Sequence, residues 1–156
     1  MSSKKFIYKK GVLYLRGEKS EKQRNLTRIR VDTGKTPSID ILEESKELTR
    51  LVFKDLPKIS LNEWYAGTHW KQRTKIKNSY KLWIESMYKK KFRDPCKVDY
   101  LFEFEKHALD PTNCVAMVKL IEDVLFPVDS GKIIKGFFVS SDRGTENKVT
   151  VIIRLI

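Results

Sequence analysis

Hydrophobic positions in this chain change period several times, and each change marks an element. Val98, Tyr100, Phe102 and Phe104 alternate with Lys97, Asp99, Glu103 and Glu105. A period of two is that of a strand with one buried face, placed here at residues 96–105. Upstream, Ile76, Tyr80, Trp83, Ile84 and Met87 recur at i, i+4, i+7, i+8 and i+11. That is one face of a helix, and it predicts a long helix over residues 69–91, closed by Asp94-Pro95. Ala116, Leu120 and Val124 mark a second helix over residues 111–125, stopped by Pro127. Residues 133–140 and 149–155 read as strands on either side of the turn-rich 142–147 (DRGTEN). Leu51-Val52-Phe53 forms a further strand, ended by Pro57, and residues 6–15 (FIYKKGVLYL) read as two short strands about a Lys-Lys-Gly turn. Residues 39–48 (IDILEESKEL) predict a short helix, residues 17–38 a loop or arm, and residues 59–67 an aromatic loop. The succession predicts an α/β or α+β domain, a mixed sheet packed with two main helices. It divides into a basic extension, residues 1–48, and a folded domain, residues 49–156.

Charge changes this picture. The chain has 156 residues and a formal net charge of +12, which points to a polyanionic partner, most often nucleic acid. The charge is segregated. Residues 1–30 carry net +8, residues 69–93 carry net +8 with Glu85 as their lone acid, and the remainder carries −4. One surface is thus fitted to grip phosphate while the acids collect elsewhere; two solvated basic faces would give the same count. Cys96 and Cys114 lack CxxC spacing and read as buried thiols in a reducing compartment. No apolar run reaches the length of a membrane span and the N-terminus has no signal-peptide core, so the expected location is the cytosol.

The acids worth following are Asp110, in ALDPTN, and Asp129, just past the second helix. Asp110 before Pro111 is a well-formed helix start, and Asp129 alone is an ordinary turn residue. A strand end followed directly by a helix start is also where a carboxylate can face an open cleft. In a basic chain, such a group either pairs with Lys or Arg or holds a cation. A hard divalent ion takes one or two carboxylates, with water and substrate phosphate completing its shell. Asp123, four residues after Lys119, reads as its helical ion-pair partner.

Over residues 49–156 the order of these features resembles the RusA-type Holliday-junction resolvases. Ser60-Leu61-Asn62 with Trp64 and Tyr65 matches the family's Ser-x-Asn loop, and a basic helix follows. Asp110-Pro111-Thr112-Asn113 matches its acidic motif in part. Lys119-Leu120-Ile121-Glu122-Asp123-Val124-Leu125 matches its helix motif, and Val128-Asp129-Ser130 with Lys132-Ile133-Ile134 its last segment in part. Thr112 stands where the family has a second Asp, and Val128 where it has the first Asp of the later pair. The resemblance implies a RusA-like fold and a homodimer cleaving four-way DNA junctions with Mg²⁺ or Mn²⁺. Asp110 and Asp129 would be the metal ligands, and Lys119 the lysine near the scissile phosphate. Thr112, Asn113 and Asp123 would support the site.

Lys71, Arg73, Lys75 and Lys77 cluster beside the aromatic loop and, with Asn62 and Tyr65, are the expected DNA contacts. Trp64, Tyr65 and Trp70 have two readings, stacking on unpaired bases or packing in the core, and the core is the ordinary fate of such residues. His69 and His107 lack metal-ligand spacing. The expected function is metal-dependent cleavage of branched DNA. Its alternatives are a weakened relative that binds DNA structures, and a basic module for RNA or a protein partner.

Overall fold

The computed structural model describes residues 6–9, 12–15, 36–65, 69–127 and 131–156. Two strands, β1 (Phe6–Lys9) and β2 (Val12–Leu15), pair antiparallel with Phe6 opposite Leu15. The main sheet has five strands: β3 (Ser38–Glu44), β4 (Leu48–Lys54), β5 (Cys96–Phe104), β6 (Ile134–Arg143) and β7 (Lys148–Leu155). Its order is β3-β4-β7-β5-β6. All neighbours run antiparallel except β5 and β6, which are parallel. Three helices accompany it: α1 (Leu61–Tyr65), α2 (Trp70–Met87) and α3 (Pro111–Leu125). The fold is therefore α+β with a mixed sheet. No helix among the described residues is long and apolar enough to cross a membrane.

The core lies between one sheet face and the helices. Register sets Val98 beside Ile153, Tyr100 beside Val151 and Phe102 beside Val149. Leu51 and Phe53 of β4 extend the same face. These residues share one buried cluster with Ile76, Tyr80 and Ile84 of α2 and Met117, Leu120, Ile121 and Val124 of α3. The other face carries ion pairs: Arg154–Asp99 at 2.6 Å, Lys148–Glu103 at 3.2 Å and Lys54–Asp40 at 2.9 Å. Helix α3 is the crossover between the parallel strands β5 and β6, the connection such a pair requires.

Residues 39–48 form no helix. Ile39 stands opposite Phe53 and Ile41 opposite Leu51, so an apolar period of two is satisfied at a sheet edge. The helix formers Leu42, Glu43 and Glu44 follow that pairing, an instance of tertiary context overriding local propensity. Ser45 closes the turn, its N–H donating to the Leu48 carbonyl at 2.8 Å and its Oγ accepting from the Leu48 N–H at 3.0 Å. The boundary expected between residues 48 and 49 thus falls inside the β3–β4 hairpin.

Two other elements differ from expectation. Within the aromatic loop, residues 61–65 make a turn of helix. Helix α2 stops at Met87, short of residue 91, because Tyr88 leaves the helix for the core. Its hydroxyl donates to Glu44 Oε1 at 3.1 Å. Lys90 also reaches Glu44, at 2.9 Å, and this ammonium, with the Tyr88 hydroxyl second, lowers the Glu44 carboxyl from its ordinary value.

Candidate functional site

Asp110 caps α3. Its backbone is extended (φ −65°, ψ 159°) and Pro111 opens the helix with its ring already set for it. Oδ1 accepts from the Asn113 N–H at 2.9 Å and Oδ2 from Asn113 Nδ2 at 3.0 Å. Asn113 therefore engages both oxygens of Asp110. A carboxylate offers about four lone-pair positions, so two remain on this exposed side chain. Thr112 is exposed one residue before Asn113.

The loop that delivers Asp110 is held on several sides. Glu105 N–H donates to Asn147 Oδ1 at 3.0 Å, and Gly144 N–H to the Phe104 carbonyl at 3.0 Å. Lys58 Nζ donates to the carbonyls of Lys106, at 3.1 Å, and His107, and lies 5.1 Å from the Phe104 ring centre. Ser141 Oγ donates to the Leu109 carbonyl. Within this cage His107 adopts φ 48°, the left-handed region, which disfavours residues with a Cβ.

Lys119 does not join Asp110. Nine residues along a helix amount to about 13 Å and a half turn, and Lys119 Nζ instead meets Asp123 Oδ1 at 3.3 Å. The other oxygen of Asp123 takes Lys77 Nζ at 2.7 Å. Asp123, only 15% exposed, therefore pins α2 to α3. It is an inter-helix anchor, and Lys77 is one of its two partners. Asp129 lies outside the described residues.

Of the two metal ligands that the resemblance implies, Asp110 is the one among the described residues. Among the described residues no three His, Cys, Asp or Glu side chains gather as a metal group. One carboxylate is the lower limit for Mg²⁺, which leaves substrate phosphate and water to fill the shell.

Helices α1 and α2 both pack against α3. Ser60 and Glu63 form a reciprocal cap on α1: Ser60 N–H donates to Glu63 Oε2 at 2.9 Å and Glu63 N–H to Ser60 Oγ at 3.1 Å. Ser60-Leu61-Asn62-Glu63 carries the spacing of this cap in the sequence itself. Asn62 and Tyr65 consequently stand exposed on the short helix. Trp64 packs against the core as expected, whereas Tyr65 is 66% and Trp70 60% exposed. Those two aromatics are surface groups. His69 caps α2, its Nδ1 accepting from the Lys71 N–H at 3.3 Å. Lys71 is exposed, its Nζ 5.6 Å from the Trp70 ring centre, and Arg73 and Lys75 are half-buried on the same helix. Lys58 and Ser141 were also missed: their partners are carbonyls 48 and 32 residues away or more, and no local pattern marks them. No family model matches the chain, and neither does any curated protein or solved structure.

Proposed function

We propose that this chain is a metal-dependent endodeoxyribonuclease acting on branched DNA, four-way junctions foremost, as a homodimer. The observation that carries the reading is the place of Asp110. It is an exposed, doubly hydrogen-bonded carboxylate at the start of a helix flanked by α1, with Asn62 and Tyr65 outward, and by the basic α2. Lys71, Arg73 and Lys75 supply the charge that binds phosphate without regard to sequence, and Trp70 and Tyr65 offer faces to unpaired bases. A Mg²⁺ or Mn²⁺ ion held by Asp110 would activate water and offset charge on the scissile phosphate. Asn113 orients the carboxylate that would hold it.

A second reading, structure-selective DNA binding without cleavage, is favoured by a separate observation. Asp123 engages both Lys77 and Lys119, and Thr112 brings no charge to the motif. The two readings part in a nicking assay on a synthetic four-way junction with Mg²⁺ or Mn²⁺, using wild type, Asp110→Asn and Asp129→Asn. Metal-dependent nicking by wild type, lost in both variants, supports the nuclease. Equal background in all three rejects it. Tight binding of junction over linear duplex, without nicking, supports the second reading. Equal affinity for junction, duplex and RNA rejects both.

A further inference from the structure

We propose that Lys58 is a positioning residue for Asp110, coupling the DNA-facing helices to the carboxylate; this rests on the reading of Asp110 as the reactive-site ligand. Lys58 belongs to the segment that leads from β4 into α1, two residues before the Ser60 cap. Its ammonium crosses to the β5–α3 loop and donates to the carbonyls of Lys106 and His107. The residue before it is held from a third element, because the buried Tyr80 hydroxyl of α2 donates to the Pro57 carbonyl. A continuous chain of contacts thus runs from α2 through Pro57 and Lys58 to the loop ending at Asp110.

Two features show that this loop needs holding. His107 sits at φ 48°, a conformation that persists in a residue with a Cβ only when its surroundings fix it. The carbonyls of Lys106 and His107 also have their partner in a cation, and charge-assisted bonds are the stronger kind. From the opposite side Ser141 of β6 fixes the Leu109 carbonyl, next to Asp110. Lys58 therefore sets where α3 begins, and with it where the Asp110 oxygens point. Displacements of about 1 Å in such a group cost on the order of a hundredfold in rate.

The test uses the full chain with Lys58→Met, which keeps the aliphatic stem, and Lys58→Arg, which restores donors. The first measurement is amide hydrogen exchange. The Asn113 N–H, bonded to Asp110 Oδ1, is expected to exchange at least tenfold faster in Lys58→Met, with Val151 and Ile153 of β7 unchanged and Lys58→Arg close to wild type. A weaker loss at Asn113 is expected in Tyr80→Phe. The second is single-turnover nicking of a junction, where Lys58→Met is expected to lower the rate at least tenfold and to alter junction Kd by less than twofold. Unchanged Asn113 exchange overturns the proposal, whatever the nicking rate. So does equal acceleration at Asn113 and in β7, which makes Lys58 a determinant of the whole fold. If wild type fails to nick, the nuclease reading fails by itself and exchange at Asn113 still decides the role of Lys58.

Discussion

Asp110 has two duties that one pair of substitutions separates. Asn is as good a helix cap as Asp, whereas Ala is worse by about 1 kcal/mol. The helix dipole adds roughly 0.3–1 kcal/mol for a negative charge at this end. Asp110→Asn is therefore expected to unfold in urea within about 1 kcal/mol of wild type, and Asp110→Ala to lose about 1 kcal/mol more. Under the nuclease reading both abolish junction nicking. Wild-type nicking by the folded Asp110→Asn would show that the carboxylate is a cap and nothing else. The cap was legible in the sequence because its signal is local: Asp before Pro, Asn three residues on. The partners of Lys58 were not, since nothing near Lys58 in the chain announces a carbonyl forty-eight residues later.

Among the elements, those whose own residues state both a period and its stops were readable. Helix α3 runs over the residues expected, from Pro111 to Leu125, and β5 keeps its alternation from Cys96 to Phe104. Strand β3 was not readable, because the decisive information is the row of partners in β4. The end of α2 was set by the burial of Tyr88, and the lysines beyond Met87 lie outside the helix. Lys119 has its i,i+4 partner at the same scale. Asp123 holds it together with Lys77, and both lysines are about half exposed, so screening limits each pair's worth. Asp123→Asn is expected to cost about 1 kcal/mol of stability, read by chemical denaturation. It is also expected to tighten binding to linear duplex, since it removes the carboxylate that engages Lys77. Weaker duplex binding by the folded variant would count against a phosphate-facing α2–α3 surface. Strand β5 gives a pH signature. Burial, with the Glu122 carboxylate adding, pushes the Cys96 thiol up to about 11. Burial is also the first cause that pushes Cys114 to about 11. Between the ordinary thiol value of 9.0 and about 11 the folded state keeps protons that the unfolded chain has lost. This stabilisation is therefore complete below pH 9 and fades as pH rises to 11. Unfolding of Cys96→Ala compared at pH 8 and about pH 10.5 is expected to show a shallower alkaline loss than wild type.

At the scale of the whole molecule, a net charge of +12 was the plainest message of the sequence, and the fold decides which part of it is usable. Lys77 is drawn to Asp123, Lys90 to Glu44 and Lys91 to Glu85. Lys71 and Arg73 stand at the other end of α2, near the exposed Trp70 and away from these acids. Each contact of this kind contributes about one unit to the slope of log affinity against log salt. Lys71→Ala and Arg73→Ala are each expected to flatten that slope by about 1 in binding titrations across a range of salt, while Lys91→Ala leaves it nearly unchanged. Equal slopes in all three variants would remove α2 from the interface. The order of strands carries a consequence for how the chain is made. Strand β7 is synthesised after the other four strands of its sheet, yet it lies between β4 and β5 and pairs with both. Until it leaves the ribosome, the β3–β4 hairpin and the β5–α3–β6 crossover have no strand to join them. Each must wait with an open edge, and only the arrival of residues 148–155 turns two fragments into one sheet.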